Sequence, residues 1–204
     1  SIGEFWRRWH MSLIQWLTDY IYTPLSFALR RWKIWGIVAA LMLTFLISGL
    51  WHGAALTFIV WGVVQGIYLS IEALIQGSRT RFETKYRLKG KWWYTLLCCI
   101  VVFVLFAFSQ IFGRCANLPD SFNAIGKIFT ESGPVFLDKT TLSHALPCLL
   151  LLLLIDFRDE FFPNEFKFFE NKRLIIRWLS YIAIIIFILS FGVLDAGQFI
   201  YFQF

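Results

Sequence analysis

Apolar residues in this chain come in long stretches separated by short charged blocks, a pattern that predicts helices crossing a membrane. Residues 34–50 are apolar over about 17 positions, roughly 26 Å of helix against a ~30 Å hydrocarbon core. Residues 54–75 and 92–112 are longer runs, and Trp51-His52-Gly53 interrupts the first pair. Residues 143–155 are short but intensely apolar, with unbroken leucine over 149–154, and residues 174–194 again suffice to span. Gly62 and Gly66 form a small-xxx-small pair suited to close helix contact. The stretches at 76–91, 113–142 (with Pro119, Gly133 and Pro134) and 156–173 are expected to be loops.

Residues 5–21 carry a different pattern. Phe5, Trp6, Trp9, Leu13, Trp16, Leu17, Tyr20 and Ile21 fall on one helical face, opposite Arg8, Gln15, Thr18 and Asp19, with His10 at the border. Aromatic and basic side chains so arranged predict an N-terminal interfacial amphipathic helix, ended by Pro24. A buried cap on a helical bundle is the other reading. The fold class expected is all-α: a polytopic transmembrane bundle read as one domain over 1–204.

Composition agrees, with 58% hydrophobic residues, 20% aromatic and only 16% charged. The net charge of +6 invites a nucleic-acid reading, but the basic residues sit at the ends of apolar runs, where the positive-inside rule puts them. That rule places residues 30–33, 76–91 and 156–173 in the cytoplasm and 113–142 outside. Cys98, Cys99, Cys115 and Cys148 show no metal spacing with one another or with the three histidines, so no metal site is expected. The chain opens Ser1-Ile2-Gly3-Glu4 without an initiator Met or an apolar leader, and reads like the interior of something longer.

Ionisable groups between membrane helices usually face a cavity or a partner, which singles out His52. Imidazole is also well suited to take a proton near neutral pH. Ser48, Gly49 and Gly53 leave room beside it and Trp51 supplies a wall. From residue types alone, a satisfied structural histidine stands beside the catalytic reading. His10, flanked by Arg7 and Arg8, reads as interfacial, and His144 as structural or solvated. There is no nucleophile elbow and no phosphate-cradling glycine loop, and Asp19 and Asp195 are isolated carboxylates.

Three stretches carry a resemblance. They are Phe5-Trp6-Arg7-Arg8-Trp9-His10-Met11-Ser12-Leu13 with Trp16 and Asp19-Tyr20-Ile21-Tyr22-Thr23-Pro24-Leu25; then Ser48-Gly49-Leu50-Trp51-His52-Gly53-Ala54 with Trp61-Gly62 and Gly66; and the closing Phe199-Ile200-Tyr201-Phe202-Gln203-Phe204. In this order they resemble the membrane-bound O-acyltransferase family, and the last resembles its alginate O-acetylation branch. Thr18 stands where the family often has Arg.

The resemblance implies that His52 is the catalytic histidine and that His10 is a second family histidine nearer the cytoplasmic mouth, acting on the donor side. It implies acetyl transfer from a cytoplasmic thioester, acetyl-CoA, through the bilayer of a bacterial inner membrane. The acceptor would be an exported polysaccharide, reached through an extracytoplasmic acyltransferase partner. Arg7, Arg8, Arg30 and Arg31 would lie on the cytoplasmic side, against donor phosphates or lipid headgroups. The alternatives are D-alanyl transfer to teichoic acid and a non-catalytic membrane scaffold or export subunit. The chain is expected to be the C-terminal portion of a longer family fold.

Overall fold

The computed structural model describes residues 1–131, 133, 138–162 and 169–192. Pro134, Asp195 and the closing motif at 199–204 lie outside the described residues, as do 163–168 and the final positions of the last apolar run. Every regular element among the described residues is helical. Five helices are long and apolar enough to cross a membrane, which makes this an all-α, multi-pass membrane protein. The chain divides into two compact units, Ser1–Ser132 and Gly133–Phe204.

The first unit is organised by a hairpin of α4 (Ile34–His52) and α5 (Leu56–Lys85). Their backbones cross where both carry glycine. A Cβ on Gly49 would overlap the Phe58 carbonyl oxygen, and one on Gly62 would overlap the Phe45 carbonyl oxygen. Gly66, as expected, packs against Met42 on the same contact. Helix α6 (Trp92–Arg114) returns alongside α5.

Helix α5 runs ten residues beyond the expected loop boundary at Ile75. Its last turns need no lipid: Arg79 donates to Glu83 at 2.8 Å, an i,i+4 pair that supports an exposed helix. Tyr94 donates to the same carboxylate at 2.9 Å and ties the start of α6 to it. The expected 113–142 loop holds a further helix, α7 (Leu118–Thr130). Asn117 caps it by accepting from the Asp120 N–H at 2.9 Å, and Pro119 occupies its first turn, where a missing N–H costs nothing.

The single amphipathic helix expected over 5–21 is broken into α1 (Ile2–Arg8), α2 (Met11–Leu17), a π-helical turn (Thr18–Tyr22) and α3 (Thr23–Ala28). The break at Trp9–His10 rephases the apolar face. Trp6, Leu13 and Leu17 are buried, whereas Trp9, Trp16 and Tyr20 are more than half exposed or at that level (54%, 50% and 69%). Pro24 does not end the segment. It opens α3 behind the π turn, whose wider backbone absorbs the hydrogen bond that proline cannot donate. A 3-10 turn (Arg30–Trp32) then leads into α4.

Helix α1 is drawn into the core. The Ile2 and Gly3 N–H groups donate to Glu72 of α5 at 2.8 and 3.1 Å. Further along, the Trp6 indole donates to Gln65 at 3.3 Å, Gln65 donates to Ser109 of α6 at 2.7 Å, and Ser109 donates to the Phe106 carbonyl at 2.6 Å. This buried chain of polar groups joins α1, α5 and α6 amid Phe45, Trp61, Leu69 and Phe112.

The second unit contains α8 (Lys139–Phe161) and α9 (Leu174–Phe191). Helix α8 exceeds the expected 143–155 at both ends and runs through Pro147. Asp138 caps its start by accepting from Thr141 at 2.7 Å.

Candidate functional site

His52 is the last residue of α4, where Gly53 ends the helix before α5 begins. It is half-buried, and rings surround it: Trp51 at 4.8 Å between centroids, Trp61 at 5.0 Å and Phe58 at 6.4 Å. Trp61 comes from α5 just before the Gly62 crossing, so the closest point of the hairpin also presses an indole against the imidazole.

His10 lies on the same spot. Its ring centre is 6.4 Å from that of His52 and 5.7 Å from that of Trp51. This corrects the expected separation of His10 from His52. The reason is a reversal of the chain. Helix α1 starts at Glu72, passes Gln65 and reaches Trp61, so its end arrives where α4 ends. The π turn and α3 then return along α4 toward its start. The turn is made by His10 itself, in the left-handed backbone region at φ 50° and ψ 46°. Histidine occupies that region more readily than most side chains. The ring is exposed.

The two imidazoles are too far apart for a direct hydrogen bond, and close enough for one small group to lie between them. His144, in the second unit, is set against Phe191 at 6.3 Å between ring centres.

The four arginines do not form one cluster. Arg7 and Arg8 end α1, beside His10, and both pair with Glu4, at 2.6 and 3.0 Å. First Arg8 and then Arg7 hold the Glu4 carboxyl below the usual carboxylate range. Arg30 and Arg31 lie in the turn before α4, nearly the helix's whole length from His52. Thr18, in the place of the family arginine, turns its hydroxyl back to the Ile14 carbonyl at 2.7 Å.

Sequence reasoning gave no role to two atoms at this site. The Trp61 Nε1 and the Ser48 Oγ are buried without a hydrogen-bond partner, and the two residues are 6% and 1% exposed. Ser48 sits one helical turn before His52 on the same stripe of α4.

Comparison with known proteins gives a family model described as MBOAT, membrane-bound O-acyltransferase family, that matches residues 1–115. The chain is 38% identical to the probable alginate O-acetylase AlgI of Pseudomonas putida over 132 residues, 64% of this chain and 24% of the relative. It is 32% identical to the peptidoglycan O-acetyltransferase of Helicobacter pylori over 144 residues, 71% of this chain and 24% of the relative. It is 30% identical to the teichoic acid D-alanyltransferase of Bacillus subtilis over 126 residues, 56% of this chain and 30% of the relative. The chain thus spans about a quarter of the length of the alginate and peptidoglycan relatives that it matches. No solved structure matches it.

Proposed function

The chain belongs to the membrane-bound O-acyltransferase family, and we propose that it carries the reacting end of an enzyme that acetylates an exported polysaccharide. The donor is a cytoplasmic thioester, acetyl-CoA. The setting is a bacterial inner membrane, with an extracytoplasmic acyltransferase as partner. The observation that carries this reading is the meeting of His52 and His10, from separate parts of the chain, within a wall of aromatic rings at one end of the α4–α5 hairpin. The similarity to alginate and peptidoglycan O-acetylating enzymes supports the acetyl group and the class of acceptor.

In this reading His52 is the general base. It takes the proton of the acceptor hydroxyl as that oxygen bonds to the thioester carbonyl carbon, and the carbonyl electron pair moves onto its oxygen. When the pair returns, the C–S bond breaks and the imidazolium gives its proton to the departing sulfur. His10 faces the same space and acts as a positioning residue for the acceptor or the acyl group.

The test is His52→Ala in the full-length protein, in cells that make the polysaccharide. A general base contributes ~10²–10⁴-fold, so residual acetylation should be about 1% or less with membrane abundance unchanged. Full acetylation in the variant would leave the chain as a non-catalytic export subunit, and loss of the protein from the membrane would make His52 structural. Unmodified polysaccharide together with D-alanyl-bearing teichoic acid in the parent strain would move the activity to the branch of the Bacillus subtilis relative.

A further inference from the structure

The core of the first unit holds two tryptophans whose rings meet at 6.0 Å, yet their indole N–H groups are treated differently. That of Trp6 donates to Gln65. That of Trp61 has no acceptor, although Trp61 is 6% exposed and the atom itself is out of solvent reach. Gln65 lies one turn further along α5, but its carbonyl oxygen accepts from Trp6 and its amide donates to Ser109. A buried indole normally finds a partner, because the N–H can only donate and loses its water on burial. Such an orphan calls for an explanation.

Position supplies one. Three buried side-chain atoms among the described residues lack a partner: Ser48 Oγ, Trp61 Nε1 and Ser70 Oγ. The first two belong to residues that flank His52, one on α4 and one on α5. Ser48 is also unusual in not bonding back along its helix, as Thr44 does to the Ala40 carbonyl at 2.7 Å. Two of these three atoms stand on residues beside the same histidine, and unsatisfied polar groups next to a base are what a site for a developing charge calls for. The Trp61 N–H is out of water's reach, so the entering acyl group has to part the rings around it before its oxygen can take the bond.

We propose that the Trp61 indole N–H is an oxyanion donor: it hydrogen-bonds the acyl carbonyl oxygen as negative charge builds on it, while His52 holds the acceptor's proton. This rests on the acyl-transfer reading above. It assigns Trp61 as a catalytic residue that acts on the carbonyl oxygen, at 5.0 Å between ring centres from the residue that acts on the hydroxyl. An indole suits the task because it carries no charge into the membrane and cannot accept the proton meant for His52. The Gly49–Gly62 crossing holds it there, since no side chain intervenes between the helices at that level.

The test uses the full-length protein with its extracytoplasmic acyltransferase partner in proteoliposomes, with acetyl-CoA as donor and the strain's own envelope polysaccharide as acceptor, read as release of the CoA thiol. Trp61→Phe removes the N–H together with one ring. Replacement of Trp61 by β-(3-benzothienyl)alanine puts sulfur in place of N–H and keeps the bicyclic shape. Both should lower kcat by about 10²-fold with the KM for acetyl-CoA nearly unchanged, because the bond forms fully only in the transition state. A benzothienyl variant with the parent kcat would overturn the proposal and reduce Trp61 to packing, whatever the phenylalanine variant does. So would a rise in KM for acetyl-CoA at constant kcat. His52→Ala, run in parallel, separates the two claims. If it keeps the parent rate, the base reading fails while Trp61 is still judged by the benzothienyl variant. No thiol release by the parent protein would defeat both.

Discussion

Gln65→Leu is the substitution on which the packing of the first unit can be tested most directly. Gln65 is 1% exposed and serves two neighbours, accepting from Trp6 at 3.3 Å and donating to Ser109 at 2.7 Å. Leucine keeps most of the volume and removes both bonds. Ser109 is not stranded, because its hydroxyl still donates to the Phe106 carbonyl. The Trp6 N–H is, and an orphaned buried donor costs about 1–3 kcal/mol. The bond from Trp6 is long, and side-chain hydrogen bonds between membrane helices average about 0.6 kcal/mol in measured cycles, with a maximum near 1.7. The expected loss is therefore about 1–2 kcal/mol, measured by SDS-induced unfolding of the full-length protein in mixed micelles. A double-mutant cycle with Trp6→Phe isolates the cause. Once the donor is gone, Gln65→Leu should cost less, giving a coupling of about 0.5–1.5 kcal/mol. Strictly additive losses would refute the reasoning, because they would mean that the two side chains contribute only through packing.

Two further outcomes are expected. In a background without the four native cysteines, Cys introduced at the exposed position Asn123 of α7 should react with a membrane-impermeant thiol reagent on intact cells, and Cys at the exposed Thr84 of α5 should not; the reverse pattern would invert the orientation drawn from the basic blocks. Because His10 stands beside His52, His10→Ala should lower kcat with little change in the donor concentration at half-maximal rate, whereas a raised donor requirement at unchanged kcat would return His10 to a separate donor-binding role.

The spanning helices were legible in the sequence because lipid demands long apolar runs, and the pairing of Gly62 with its neighbour helix because close contact demands a small residue. The ends of the helices were not. Hydropathy registers only the part of a helix that lipid surrounds, so it ends α5 at Ile75 although Arg79 and Glu83 carry the helix further. Helix α7 was signalled by Asn117 and Pro119 at the head of a stretch with the spaced apolar residues Leu118, Phe122, Ile125 and Phe129, a pattern that its charged neighbours obscured. His52 stood out as an ionisable group between apolar helices. Its meeting with His10 had no signal in composition or period, since it depends on a chain reversal made by one residue's backbone. The orphaned indole of Trp61 was beyond reach for a similar reason: an absent hydrogen-bond partner is a property of three-dimensional packing.

The glycine crossing of α4 and α5 has a mechanical consequence. Gly49 stands three residues from His52 and fifteen from Ile34 along α4, or about 4.5 Å against about 22 Å of helix axis. Contact of backbone on backbone makes it a fulcrum set close to one end. If the hairpin rocks about that point, the far end sweeps some five times the arc traced by His52. A displacement imposed at the basic end would reach the imidazole geared down about fivefold.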